Sequence, residues 1–292
     1  MPTPFQHLIY AELVGRHSAL PPVVRDVLAE APGAYLLGNV APDVQTITGQ
    51  RRFETHFYGL DHPREPTALE RLLATCPELR EPRRMSPDRA AFVSGYVVHL
   101  TWDEVWMWEI FLPFFRNGPS FRRGDQGADR LSYFLHHNAL RALLDRQAYG
   151  ALHSSGRPAQ LLRRTAVSSW LPFVSRDVLS AWRDLIVEQL DDPSLVRTLE
   201  VFAKRMRVPV RQVSEIVETM EADTYAAIPG LAEALERYEH CGLNASVRAL
   251  LRYWQIEARL EERKGGAGGL RRVGLIAGSD FLCEDKVVEG ES

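Results

Sequence analysis

An uncharged run from Ala90 to Trp102, opened by Ser86-Pro87-Asp88, constrains the fold more than any other stretch of this 292-residue chain. Serine offers an N-cap hydroxyl, proline is tolerated in a first helical turn, and aspartate complements the positive end of a helix dipole. The segment opened in this way is expected to stay helical to about Phe111. It is apolar nearly all round, which predicts a central helix buried on every side. At this length it falls short of the roughly 18–20 apolar residues that span a bilayer. Polar side chains inside it must therefore be satisfied by the protein itself.

Helical punctuation recurs on both sides of this segment and strand signals are nearly absent, so the expected fold is all-α, a multi-helix single domain. Pro4 to Val14 carries Phe5, Leu8, Ile9 and Leu13 at helical spacing. Leu20-Pro21-Pro22 opens a second helix, Val23 to Glu30, which Pro32-Gly33 closes. A short apolar stretch, Ala34 to Val40, runs into Ala41-Pro42-Asp43. Asp43 to Pro66 reads as a long irregular connection, and connections of that length are often functional. Thr67 to Thr75 is a short helix. Pro113, Asn117-Gly118-Pro119 and Gly124 mark a break, after which Asp129 to Tyr149 resumes as helix. Residues 151–264 add amphipathic helices without a chemistry-bearing pattern, and residues 265–292 read as a flexible linker and acidic tail.

With 35 basic against 38 acidic residues, a formal charge of −3 gives no global attraction to a polyanion, so no nucleic-acid partner is expected. The opening MPTPFQHLIYAELVGRH lacks a basic stretch followed by an apolar one, which reads as a cytoplasmic chain without a signal peptide. No transmembrane helix is expected. Cys76, Cys241 and Cys283 are too few and too widely spaced for a disulfide framework or a cysteine zinc finger, and they read as reduced thiols. Any metal would then be held by nitrogen and oxygen.

His99 and Asp103, in GYVVHLTWDEVW, are four residues apart and share one face of the buried helix. A buried carboxylate needs a cation, and a metal held jointly with a neutral imidazole supplies one. An isolated pair at this spacing is more often an ordinary His/Asp ion pair. Further donors shift the balance, because five of the nine histidines fall within the first 99 residues. His7 lies in the first helix, Asp43 follows Gly38-Asn39-Val40-Ala41-Pro42, and His56 lies in Thr55-His56-Phe57-Tyr58-Gly59. Taken singly, Asp43 is an ordinary turn residue and His7 or His56 an ordinary hydrogen-bonded histidine; their coincidence carries the argument.

On these residues, over roughly positions 4 to 115, the chain resembles the zinc-dependent phospholipase C family and the single-strand nucleases that share its helical fold. The resemblance implies that residues 1–150 form a metal-binding helical region, with residues 151–264 packed on it. It also implies that Asp43, His56, His99 and Asp103 surround one metal, with His7 and Asp103 helping to hold a second. Secreted members complete a trinuclear zinc cluster with further His and Glu residues downstream and with the mature N-terminal amino group. Here His136 and His137 are followed four residues later by Leu140 and Arg141 rather than a carboxylate. One or two ions are expected, zinc first, with manganese, iron or nickel also suited to such donors.

The implied function is metal-dependent hydrolysis of a phosphate ester, a phospholipid headgroup among the options. Asp43 is the candidate base for the attacking water, as in the resembling family. His62 and Arg52 are candidates to orient a ligand or bind phosphate, although Arg51 and Arg52 also read as solvated surface arginines. Trp102, Trp106, Trp108, Phe111, Phe114 and Phe115 read as core rather than a substrate pocket. The alternative is a non-catalytic helical scaffold with a structural or vestigial metal site. A phosphohydrolase of the HD type is disfavoured because residues 61 and 62 run Asp-His. Oligomeric state has no signature in the sequence.

Overall fold

A computed structural model describes residues 2–59, 64–116, 126–192, 200, 203–204, 207–222 and 228–256. Among them there is no strand, so the all-α expectation holds. The helices are α1 (Pro4–Gly15), α2 (Pro22–Glu30), α3 (Pro32–Val40), α4 (Gln45–Thr48), α5 (Arg52–His56), α6 (Ala68–Thr75), α7 (Pro87–Trp106), α8 (Gln126–Ser155), α9 (Arg157–Arg164), α10 (Arg176–Asp191), α11 (Val210–Ala222) and α12 (Leu231–Tyr253). His62 and residues 265–292 lie outside the described residues. No helix among the described residues is long and apolar enough to cross a membrane.

The central helix is α7. The Ser86 hydroxyl accepts from the Arg89 amide as its N-cap, and every residue from Ala90 to Asp103 is buried. Beyond Trp106 the chain widens into a π-helical segment, Met107–Arg116, that contains Pro113. Proline cannot continue an α-helical ladder, and the wider turn carries the chain past it where the sequence predicts a break. Trp102, Trp106, Phe111 and Phe115 are buried in the core as expected, and the Trp106 indole donates to His137 Nε2 at 3.0 Å.

Helix α3, which the sequence shows only as an apolar stretch, packs directly on α7. The two meet through glycines. A β-carbon on Gly38 would lie 1.9 Å from the Phe92 carbonyl oxygen, and one on Gly95 would lie 2.1 Å from the Tyr35 carbonyl oxygen. Only hydrogen at both positions lets the backbones approach this closely. Around this pair, the Tyr35 hydroxyl donates to Ala11 O at 3.1 Å, tying α1 to α3, and the Trp182 indole donates to Val40 O at 2.7 Å, tying α10 to the end of α3. From the far end of the chain, the Trp254 indole just past α12 donates to Ser94 Oγ at 3.0 Å, so residues beyond 150 complete the wall around α7.

The expected irregular connection from Asp43 to Pro66 is corrected in its first part. Ala41–Val44 forms a 3-10 turn, followed by α4 and α5. Gly49 ends α4 in the left-handed region at φ 73°, and the Glu54 carboxylate caps α5 by accepting from the Arg51 amide at 2.6 Å. These helices are too short to show an apolar period, so a sequence reading passes over them. The reduced-thiol expectation holds at Cys76, which is free and buried, while Cys283 lies outside the described residues.

Candidate metal centre

Four elements converge on one buried point. α1 brings His7, the 3-10 turn after α3 brings Asp43, α5 brings Arg52 and His56, and α7 brings His99 and Asp103 one turn apart. His7, His56 and His99 expose 0% of their side chains and Asp103 exposes 1%, whereas Asp43 and Arg52 expose 14% and 17%. The cluster is therefore approached from the Asp43 and Arg52 side.

The hydrogen bonds set the tautomers. His99 Nδ1 lies 2.7 Å from the Asn39 carbonyl oxygen, which can only accept, so Nδ1 carries the proton and Nε2 is bare. The Thr55 hydroxyl lies 3.3 Å from Arg52 O and 3.0 Å from His56 Nδ1; in the His56 tautomer that donates from Nδ1 to Thr55, Nε2 is bare as well. These two Nε2 atoms stand 3.3 Å apart. Around them lie Asp43 Oδ1, 3.5 Å from His56 Nε2, and Asp103 Oδ2, 3.3 Å from His56 Nε2 and 3.5 Å from His99 Nε2. His7 stacks on His99 with ring centroids 3.6 Å apart, and its Nε2 lies 3.3 Å from Asp103 Oδ1 without hydrogen-bond alignment. Arg52 Nη2 donates to Asp103 Oδ2 and, at 3.0 Å, to the Tyr58 hydroxyl, which itself lies 3.3 Å from the same carboxylate oxygen.

Burial holds the His7 imidazole down to about 4 and the His56 imidazole down to about 3, so both are neutral and suited to ligate. Burial alone would raise both carboxylates. The Arg52 guanidinium outweighs it at Asp103, which lies below the usual carboxylate range.

The donor set suits a cation on two counts. Two imidazole Nε2 atoms stand within 3.3 Å of each other, and four polar atoms in the cluster are buried without a hydrogen-bond partner: both ring nitrogens of His7, Asp103 Oδ1 and Asp43 Oδ2. His7, His99 and Asp103 form one group of mutually close donor atoms, and Asp43, His56 and His99 form another. All five residues proposed as ligands from sequence thus meet in space. Arg52, for which a solvated position is also an option on sequence grounds, is part of the cluster, while Arg51 is exposed.

Sequence reasoning missed the groups that orient the ligands. Asn39 acts through its carbonyl, Thr55 is adjacent to His56, and Tyr58 is in the quoted HFYG, yet none carries a signal of its own. It also missed Asp145, one turn beyond Arg141 on α8, a buried carboxylate that accepts from the Thr3 hydroxyl and is raised by burial above the usual range.

No family model, no curated protein and no solved structure matches the chain.

Proposed function

We propose that this protein is a metal-dependent hydrolase of phosphate esters, acting on a phosphodiester or phosphomonoester such as a phospholipid headgroup. The observation that carries the reading is the pair of imidazole Nε2 atoms 3.3 Å apart, flanked by the buried Asp103 carboxylate and the part-buried Asp43 carboxylate. Asp43, His56, His99 and Asp103 would hold the ion, zinc in the first instance, with His7 against the second oxygen of Asp103; manganese, iron and nickel also accept such donors. A divalent cation there would acidify water and offset charge developing on the ester. Asp43 is the ligand nearest solvent and keeps Oδ2 unpartnered, which suits it to receive the proton of that water. Arg52, a part-buried cation at the rim, is placed to orient an anionic phosphate. This arrangement supports the likeness to zinc-dependent phospholipase C on residues alone.

Elemental analysis of protein purified without chelators, wild type against a His99→Ala/Asp103→Ala variant, tests the reading. Metal present in the first and absent from the second, followed by turnover in a phosphate-ester panel, is the expected result. No metal in the wild type, before or after adding it back, removes it.

Near-complete burial of four of the five candidate ligands favours a second reading, a structural metal in a non-catalytic helical scaffold. Under that reading, stripping metal lowers thermal stability while no ester in the panel is hydrolysed.

A further inference from the structure

We infer that this is a centre for one divalent ion, in which Arg52 stands permanently where a second cation would otherwise balance Asp103. The inference rests on the metal-centre reading above and sharpens it, since two ions are conceivable from the donor list alone.

The first step is a count of lone pairs. The two donor groups both require His99. His99 has one nitrogen to give, because Nδ1 is spent on the Asn39 carbonyl at 2.7 Å. An ion bound by Asp43 and His56 takes that nitrogen. What then stays with His7 is Asp103 Oδ1, and among the described residues His7 groups with His99 and Asp103 alone. Two donors fall below the three or four protein ligands that hold a transition metal.

The second step is charge. With the imidazoles as neutral ligands, Asp43 and Asp103 carry two negative charges in a site where none of the six side chains is more than 17% exposed. Among the described residues, Arg52 is the full positive charge paired with Asp103, bonded to its Oδ2 and braced by Tyr58. One divalent ion turns the remaining single negative charge into a single positive one. A second would leave three unbalanced positive charges around the Asp43 and Asp103 carboxylates, which a largely desolvated site opposes. Arg52 is held on α5 one turn before the ligand His56, so the guanidinium and the ligand are placed by the same short helix.

This assigns Arg52 a role whose sign is measurable. A fixed cation beside a metal repels it, so removing the charge tightens metal binding, whereas removing a residue that merely props up the site loosens it. Zinc is titrated into the metal-stripped full-length protein and counted by native mass spectrometry, with affinity from chelator competition. The specific ions are those bound by wild type and not by His99→Ala. One specific zinc per wild-type chain is expected. Arg52→Met should bind it about tenfold or more tightly, and Arg52→Lys, which keeps the charge, should stay within about threefold of wild type. Two specific ions in wild type, one of them lost in His7→Ala, or weaker zinc binding by a folded Arg52→Met, overturns the inference while leaving the metal centre standing. No specific ion at all overturns the metal centre and this inference together.

Discussion

His56 Nε2 and His99 Nε2 face each other at 3.3 Å, each with its other ring nitrogen already engaged, one by the Thr55 hydroxyl and one by the Asn39 carbonyl. In the tautomers that leave both Nε2 atoms bare, two lone pairs meet at one point and call for a cation between them. The residues that create this arrangement are not ligands, and the predictions below test how the fold imposes it.

Gly38→Ala should be among the most damaging small substitutions. Its methyl would collide with the Phe92 carbonyl and push α3 away from α7, which moves the Asn39 carbonyl off His99. Overpacking of this kind costs on the order of 1–3 kcal/mol or more. Denaturant unfolding should show that loss together with weakened zinc binding. Unchanged values in both would show that the backbone contact does not set the site.

Thr55→Ala leaves the buried His56 Nδ1 without an acceptor, at a cost of about 1–3 kcal/mol, and frees the ring to turn. Groups that orient a metal-binding histidine typically contribute about 10–100-fold to affinity. Chelator competition should therefore show weaker zinc binding in Thr55→Ala and near-normal binding in Thr55→Ser. Equal affinity in all three proteins would remove Thr55 from the site.

Asp43→Asn keeps an oxygen donor but cannot accept a proton at the same position. Hydrolysis of a reactive phosphodiester such as a bis-nitrophenyl phosphate should fall by about 100-fold or more while the helical circular dichroism is retained. Wild-type turnover in this variant would end the role given to Asp43.

Glu104 accepts from the Ala68 amide at the start of α6, at 2.7 Å, yet burial raises its carboxyl from 4.5 to about 7. An acid raised on folding stabilises the protein in its protonated form. That contribution is complete below about pH 4.5 and is lost as pH rises through 7. Glu104→Gln cannot ionise and should gain on wild type between pH 5 and pH 8, by on the order of 3 kcal/mol at most. Urea unfolding of both proteins at the two pH values checks it, and a pH-independent difference would show that Glu104 titrates normally.

What the sequence determined by itself was whatever local chemistry repeats or punctuates. Ser86-Pro87-Asp88 and the apolar run after it specified a buried helix, and spacing along that helix specified that His99 and Asp103 share a face, because an α-helix has a fixed period. The further candidates His7, Asp43 and His56 were named from the family resemblance rather than from any local period. The tertiary structure decided the rest. α4 and α5 were illegible because helices of four and five residues show no period. The roles of Asn39, Thr55 and Tyr58 depend on a carbonyl, a hydroxyl and a phenol meeting partners on other segments, which no local pattern encodes. Arg52 is the clearest case: on sequence grounds a surface arginine was the simpler reading, and only the packing of α5 against α7 makes it the counter-charge of Asp103. Side-chain period is a property of one helix, while charge balance and ligand orientation belong to the contact between helices, here fixed by the backbone approach at Gly38 and Gly95.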